Sequence, residues 1–208
     1  MLFAVSGSQG SGKSTTLAML ESFGYNVLKR KISRSILDDW NVTLNEVNTD
    51  MELTLKFQDE ILKRKAEDEL IAANSDDIYF TERVFTDSFV YYLFSFGKVS
   101  DMGSKINDYY SRCVEYNKYY DGVFQLPTGK FKTEDDGVRN ANPLYGASVD
   151  VVLNHFLEIE FNRELEFDGE TFKTPRLYNV TPIDATERAN FVRGITEKIV
   201  FEKRYNNA

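Results

Sequence analysis

The chain has 208 residues, with 33 Asp and Glu against 25 Lys and Arg and a formal charge of −8. That length suits one domain, or one domain with an insertion, and the acidic balance argues against broad charge-driven binding to nucleic acid or to an anionic membrane. The single cysteine, Cys113, excludes a disulfide scaffold or a cysteine-rich metal site, and no stretch is long and apolar enough to span a membrane.

The first element is an apolar run, Leu2–Ser6, which reads as a strand. Residues 7–15 follow as Gly-Ser-Gln-Gly-Ser-Gly-Lys-Ser-Thr, with Gly7, Gly12, Lys13 and Ser14 in the fixed positions of a Walker A phosphate loop. An amphipathic stretch, Lys13–Phe23, opens directly from it and completes the strand–loop–helix context that the motif requires. Such a loop turns its backbone N–H groups around a pyrophosphate, and the helix N-terminus adds a favourable dipole. Gly7, Ser8, Gln9, Gly10, Ser11, Gly12, Lys13, Ser14 and Thr15 are therefore the expected triphosphate-binding residues. Lys13 would neutralise the outer phosphates, and the Ser14 hydroxyl would hold a magnesium ion. A strand and a phosphate loop so early leave no room for a targeting peptide, so a cytoplasmic protein is expected.

Short apolar runs then alternate with longer amphipathic stretches, the pattern of βαβ units on a parallel sheet. Strands are expected at Tyr25–Lys29, Ile78–Thr81, Gly122–Leu126 and Tyr178–Pro182. Helices are expected at Ser33–Trp40, Met51–Ala73, Asp87–Phe96, Lys105–Tyr119, Ser148–Asn162 and Ala185–Arg204. Thr49 with Glu52 and Asp184 with Glu187 have capping-box spacing. Right-handed crossovers would place helices on both faces of a roughly five-stranded sheet, a three-layer α/β fold formed by residues 1–208. Two segments break the rhythm: a long polar loop at 127–147, and residues 164–174, whose alternation around Asp168-Gly169 signals a hairpin insertion.

After the second strand comes Lys29-Arg30-Lys31-Ile32-Ser33-Arg34, four cations without an acid. The run is either a solvated face or a grip on an anionic substrate, with Arg34 the best-placed phosphate ligand. On the helix from Met51, Gln58 falls on the apolar stripe of Leu55, Ile61/Leu62, Ala66 and Leu70, where its amide would meet a nucleobase edge or a backbone carbonyl. Lys63-Arg64-Lys65 and Glu67-Asp68-Glu69 pair at i,i+4 spacing and read as solvated helix surface. The third strand ends in Thr81-Glu82-Arg83, and open α/β sheets bind ligands at the carboxyl ends of their strands. Glu82 is placed to hold magnesium or to accept a hydroxyl proton, and Arg83 to stabilise a transferring phosphoryl group; the other reading is a surface ion pair. Asp87 would bind a substrate hydroxyl or act as a helix N-cap. In the 127–147 loop, Arg139 would close over the triphosphate if the loop is a lid; a disordered acidic loop is the alternative. His155 falls off its helix's apolar stripe, and Tyr109, Tyr110, Cys113, Tyr116 and Tyr120 have core spacing.

Taken in order, the loop Gly7–Ser14, Phe57-Gln58, Glu82-Arg83, and Tyr120–Pro127 followed by Asp136-Gly137-Val138-Arg139 resemble the small P-loop kinases around thymidylate kinases, deoxynucleoside kinases and ribosylnicotinamide kinases. The resemblance covers most of residues 1–200 and thins after 163. It implies a parallel five-stranded sheet, ATP and magnesium as cofactors, Arg139 as a lid arginine, and phosphoryl transfer to a nucleotide-like acceptor. It is also compatible with a homodimer. One departure bears on the acceptor. Nucleoside kinases of this group usually carry a glutamate after the second strand as base for the sugar hydroxyl, and this chain has the Lys29–Arg34 run instead. A phosphate acceptor is already anionic and needs cations rather than a base, which favours a nucleoside monophosphate. A nucleotide unit within DNA is the alternative, as in viral kinases of this type that phosphorylate a hydroxymethyl-modified base. A nucleoside kinase and a regulatory NTP-binding switch complete the alternatives.

Overall fold

The computed structural model describes residues 1–29, 31–96, 102–127, 142–162, 164–167, 170–173 and 176–206. Five strands, β1 (Leu2–Ser6), β2 (Asn26–Leu28), β3 (Tyr79–Glu82), β4 (Gly122–Gln125) and β7 (Arg176–Asn179), form a parallel sheet in the order β2-β3-β1-β4-β7. β5 (Glu164–Phe167) and β6 (Glu170–Lys173) pair antiparallel as the expected hairpin. The helices are α1 (Lys13–Ser22), α2 (Ile32–Trp40), α3 (Leu44–Thr49), α4 (Met51–Ala73), α5 (Phe85–Phe96), α6 (Gly103–Asn117), α7 (Pro143–Phe161) and α8 (Ala185–Asn206).

β1 lies at the centre of the sheet, and all five of its residues are buried, as a parallel strand covered on both faces requires. Its side chains alternate between two cores. Phe3 and Val5 pack with Leu17 and Leu20 of α1, Phe80, Phe124 and Val192 of α8. Leu2 and Ala4 face α4, α5, α6 and α7 through Leu62, Phe85, Tyr109 and Leu153. On the α1/α8 side Phe80, Phe3, Phe124 and Tyr178 form an aromatic row across four strands, with neighbouring ring centroids 5.5–6.2 Å apart. Each such ring contributes roughly 1.5–3 kcal/mol by burial. A smaller cluster of Ile36, Leu37, Val47 and Phe57 ties α2 and α3 to α4.

Several element ends differ from the sequence reading. α3 was not expected; Thr43 caps it through a full capping box with Glu46. The next helix is capped not by Thr49 but by Asp50, whose carboxylate accepts from the Leu53 N–H at 3.0 Å. Thr49 is already helical, and its hydroxyl donates to the carbonyls of Asn45 and Glu46. At Asp184 the cap is observed: the carboxylate accepts from the N–H groups of Thr186 and Glu187. α7 begins at Pro143, held by an Asn142 cap, so the helix takes the last part of the long loop. The last sheet strand lies at Arg176–Asn179 rather than Tyr178–Pro182. On α4 the buried positions are Thr54, Phe57, Leu62, Lys65, Ala66, Glu69 and Ala72, and the expected stripe residue Leu70 is exposed. The tyrosines of α6 and Cys113 are core, and His155 is exposed, as their spacing indicates.

Candidate active site

β1 and β3 are neighbours in register, with Val5 opposite Glu82, so the loop leaving β1 and the acid ending β3 emerge side by side. Gly7, Gly10 and Gly12 have φ of 142°, 76° and 88°, a sequence of turns that side chains resist. Gly12 is also the N-cap of α1, and no side chain caps that helix end; the N–H groups of such a first turn suit an anion. A Cβ on Gly12 would come within 2.6 Å of the Arg188 guanidinium, and a Cβ on Gly7 within 2.9 Å of the Ser11 hydroxyl.

Lys13 is buried, and its ammonium donates to the carbonyls of Gly7 and Ser8, both at 2.9 Å, and to the Ser11 hydroxyl at 3.4 Å. It also stands 4.0 Å from Glu82 Oε1. The Ser14 hydroxyl donates to Glu82 Oε2 at 3.3 Å. Lys13, Ser14 and Glu82, separated by most of the N-terminal half in sequence, thus meet at the loop's mouth. Glu82 and Ser14 are hard oxygen donors of the kind that bind a magnesium ion together with substrate phosphates, so the donor set fits that ion. The described residues contain no group of three or more His, Cys, Asp and Glu suited to a metal. Around the loop lies a cleft of about 670 Å³, lined also by Gln9, Arg83, Ile183 and Asp184, within the usual size of small-molecule sites. The Gln9 side-chain nitrogen is buried there and has no acceptor among the described residues.

Arg83 adopts φ 71°. Its guanidinium donates to Asp87 Oδ1 at 3.2 Å and lies 5.1 Å from the centroid of the Tyr91 ring. Burial opposes its charge, but Tyr91, Asp87 and Glu82 outweigh that and hold its pKa above the ordinary arginine value. Asp87 does not cap the next helix, because α5 starts at Phe85. It is fully buried and accepts from the Ser6 hydroxyl at 2.7 Å, the Val84 N–H at 3.0 Å and Arg83. It joins the end of β1 to the start of α5 and orients Arg83.

Of the remaining expected residues, Arg34 and Gln58 do not line this cleft. Arg34 is exposed in the first turn of α2. Lys29 pairs with Glu21 of α1 at 2.6 Å, so part of the cation run is matched by an acid of the preceding helix; Arg30 lies outside the described residues. Gln58 is half-buried, and the engaged group is its backbone carbonyl, which accepts from the Tyr109 hydroxyl at 3.2 Å. Arg139 lies outside the described residues. Two features at the site were not legible. Arg188 of α8 is 2 % exposed and donates to the Ser11 carbonyl at 2.8 Å, bracing the phosphate loop from behind; burial lowers its pKa and Asp184 partly offsets this. Lys65 and Glu69, expected on the surface, form a buried pair beside Glu82.

A family model described as an AAA domain matches residues 2–164. The chain belongs to that family. No curated protein matches this AAA-domain chain, but its fold is that of solved P-loop kinases. A structure of deoxyadenosine kinase from M. mycoides with bound dATP superposes with a TM-score of 0.68 at 16% identity, over 95% of this chain and 100% of that one. The same enzyme with dCMP and dCDP gives 0.64 at 16% identity over the same shares. Thymidylate kinase from Candida albicans gives 0.58 at 15% identity, over 95% of this chain and 91% of that one. No helix among the described residues is long and apolar enough to cross a membrane.

Proposed function

We propose that this AAA-domain protein is an ATP-dependent kinase that transfers the γ-phosphoryl group to a nucleoside monophosphate. The observation that carries the reading is the meeting of Lys13, Ser14 and Glu82 at the mouth of a phosphate loop, with Arg83 beside them. An acceptor phosphate oxygen attacks the γ-phosphorus, the bond from that phosphorus to the β–γ bridging oxygen breaks, and ADP leaves. Little covalent work falls to the protein in such a transfer; position and charge carry it. The loop N–H groups and Gln9 hold the donor phosphates, and Lys13 moves from the loop carbonyls to the outer phosphates. Ser14 and Glu82 would hold magnesium, which when bound neutralises charge on the phosphate oxygens. Arg83, oriented by Asp87, faces the transferring group, and Arg34 and Gln58 serve the acceptor's phosphate and base. Arg139 is assigned to the lid by its place in the sequence.

A phosphate acceptor needs no base to deprotonate it, which suits a site whose acid beside the loop, Glu82, is engaged by Ser14 and lies near Lys13. The test is ATP consumption with and without added nucleoside monophosphate. ADP formation that rises with the acceptor, with the label recovered in a nucleoside diphosphate, is expected. Slow hydrolysis indifferent to any acceptor, or binding alone, would make the protein an NTP-dependent switch and sink the proposal.

A further inference from the structure

Lys65 and Glu69 lie one turn apart on α4 and are 5% and 1% exposed, an ion pair inside the molecule. Taking two charges out of water is unfavourable unless every donor and acceptor is matched, and here they are. Glu69 Oε1 accepts from Lys65 and from the Thr81 hydroxyl at 2.7 Å, while Oε2 accepts from the Tyr120 hydroxyl. The Lys65 ammonium also donates to the carbonyl of Arg83 at 2.8 Å and more weakly to that of Glu82 at 3.4 Å, with the Phe85 ring 5.3 Å away. All three ammonium protons thus have targets. Two of those targets are the carbonyls of the acid and the arginine that face the phosphate loop.

The conformation at Arg83 explains why such a brace is needed. A non-glycine residue at φ 71° is disfavoured and persists only where its surroundings over-determine it. The Arg83 N–H is fixed by the Val5 carbonyl at 2.9 Å, and its own carbonyl is fixed by Lys65. Without Lys65 the turn would keep Val5 and Asp87 as restraints but lose the one on its carbonyl, and relaxation toward negative φ would carry Glu82 and Arg83 away from the loop. We propose that Lys65, anchored by Glu69, is a positioning residue that locks this left-handed turn and so aims Glu82 at Ser14 and Arg83 across the transferring group. The proposal rests on the phosphotransferase reading for its kinetic consequence, though not for its structural one.

The test compares wild type, Lys65→Met and the double variant Lys65→Met/Glu69→Gln. The single variant leaves a buried carboxylate unmatched and is expected to melt well below wild type. The double variant leaves no charge and is expected to recover most of that loss. If the pair served stability alone, the double variant would regain kcat together with Tm. Positioning predicts that kcat stays at least 30-fold down, that ATP affinity stays within threefold of wild type, and that the Arg83 and Val84 amides exchange hydrogen at least tenfold faster. A double variant with kcat within threefold of wild type would overturn the proposal. If wild type transfers phosphate to no acceptor, the kinase reading falls, and amide exchange alone decides: faster local exchange at near-wild-type Tm upholds the locked turn, and unchanged exchange refutes it.

Discussion

The phosphate loop and the residues proposed for the acceptor are built differently. On the donor side, Ser8, Ser11 and Lys13 are each no more than 4% exposed, the turns are set by glycines, and α8 braces the loop through Arg188. Among the residues proposed to serve the acceptor, Arg34 is exposed and Gln58 is half-buried, and the neighbouring Lys29 is drawn into a solvent-exposed pair with Glu21, a type worth roughly 0–1 kcal/mol. In the proposed reading, triphosphate binding is therefore a property of the backbone, held in place before any ligand arrives. In the same reading, acceptor choice would rest on a few long side chains, which a change of one residue would redirect.

Substitutions on the two sides should accordingly differ in kind as well as in size. Lys13→Ala is expected to lower phosphoryl transfer to every acceptor by about 10³-fold, the upper range for a single preorganised donor, with Tm near wild type; transfer of label from γ-labelled ATP measures it. Glu82→Gln keeps the shape and removes the charge. It should lower kcat by about 10²-fold and raise the magnesium concentration needed for half-maximal rate, with little change in ATP affinity. Gly12→Ala places a Cβ at a left-handed φ, a cost of about 1–2 kcal/mol before any clash. Its Tm and ATP affinity should both fall, and Arg188→Ala in the same chain should restore part of the Tm by removing the group that the Cβ meets.

Effects on the acceptor side should be smaller and selective. Arg34→Ala is expected to raise the acceptor KM about tenfold, the size of one lost charged hydrogen bond, and to leave ATP binding unchanged by calorimetry. An equal loss of ATP affinity would erase the distinction between the two sides. The smallest effect belongs to Asp184, at the rim of the donor cleft. Its pKa is lowered by the N–H groups of Glu187 and Thr186, so the stability it contributes is present above the unfolded carboxylate value and is lost as pH falls through the depressed folded value. Asp184→Ala should therefore melt slightly below wild type at pH 7, and melting curves should converge once pH has dropped below that folded value.

The same contrast decides what could be read from sequence. The phosphate loop was legible because its chemistry is local: glycine conformations, a lysine and a hydroxyl at fixed spacing. Glu82-Arg83 was legible because a strand end beside the loop is implied by the βαβ rhythm. Arg188 was not, since nothing local marks a helix arginine that reaches a loop 177 positions away. Lys65 and Glu69 misled because i,i+4 ion pairs usually lie on solvated faces, and only the packing of Thr81, Tyr120 and the Arg83 turn against α4 shows this one to be inside. Asp87 misled for a related reason. Its spacing suited a cap, but the helix starts earlier and the carboxylate turns inward to Ser6 and Arg83.

In the proposed reading a backbone-built donor site serves an anionic nucleotide. The most direct test of that reading offers γ-labelled ATP and magnesium in parallel to nucleosides, nucleoside monophosphates and duplex DNA containing hydroxymethyl-modified bases. Label in nucleoside diphosphates, with at least tenfold less on the other acceptors, is the predicted result. Label on nucleosides alone, or on DNA alone, would contradict it.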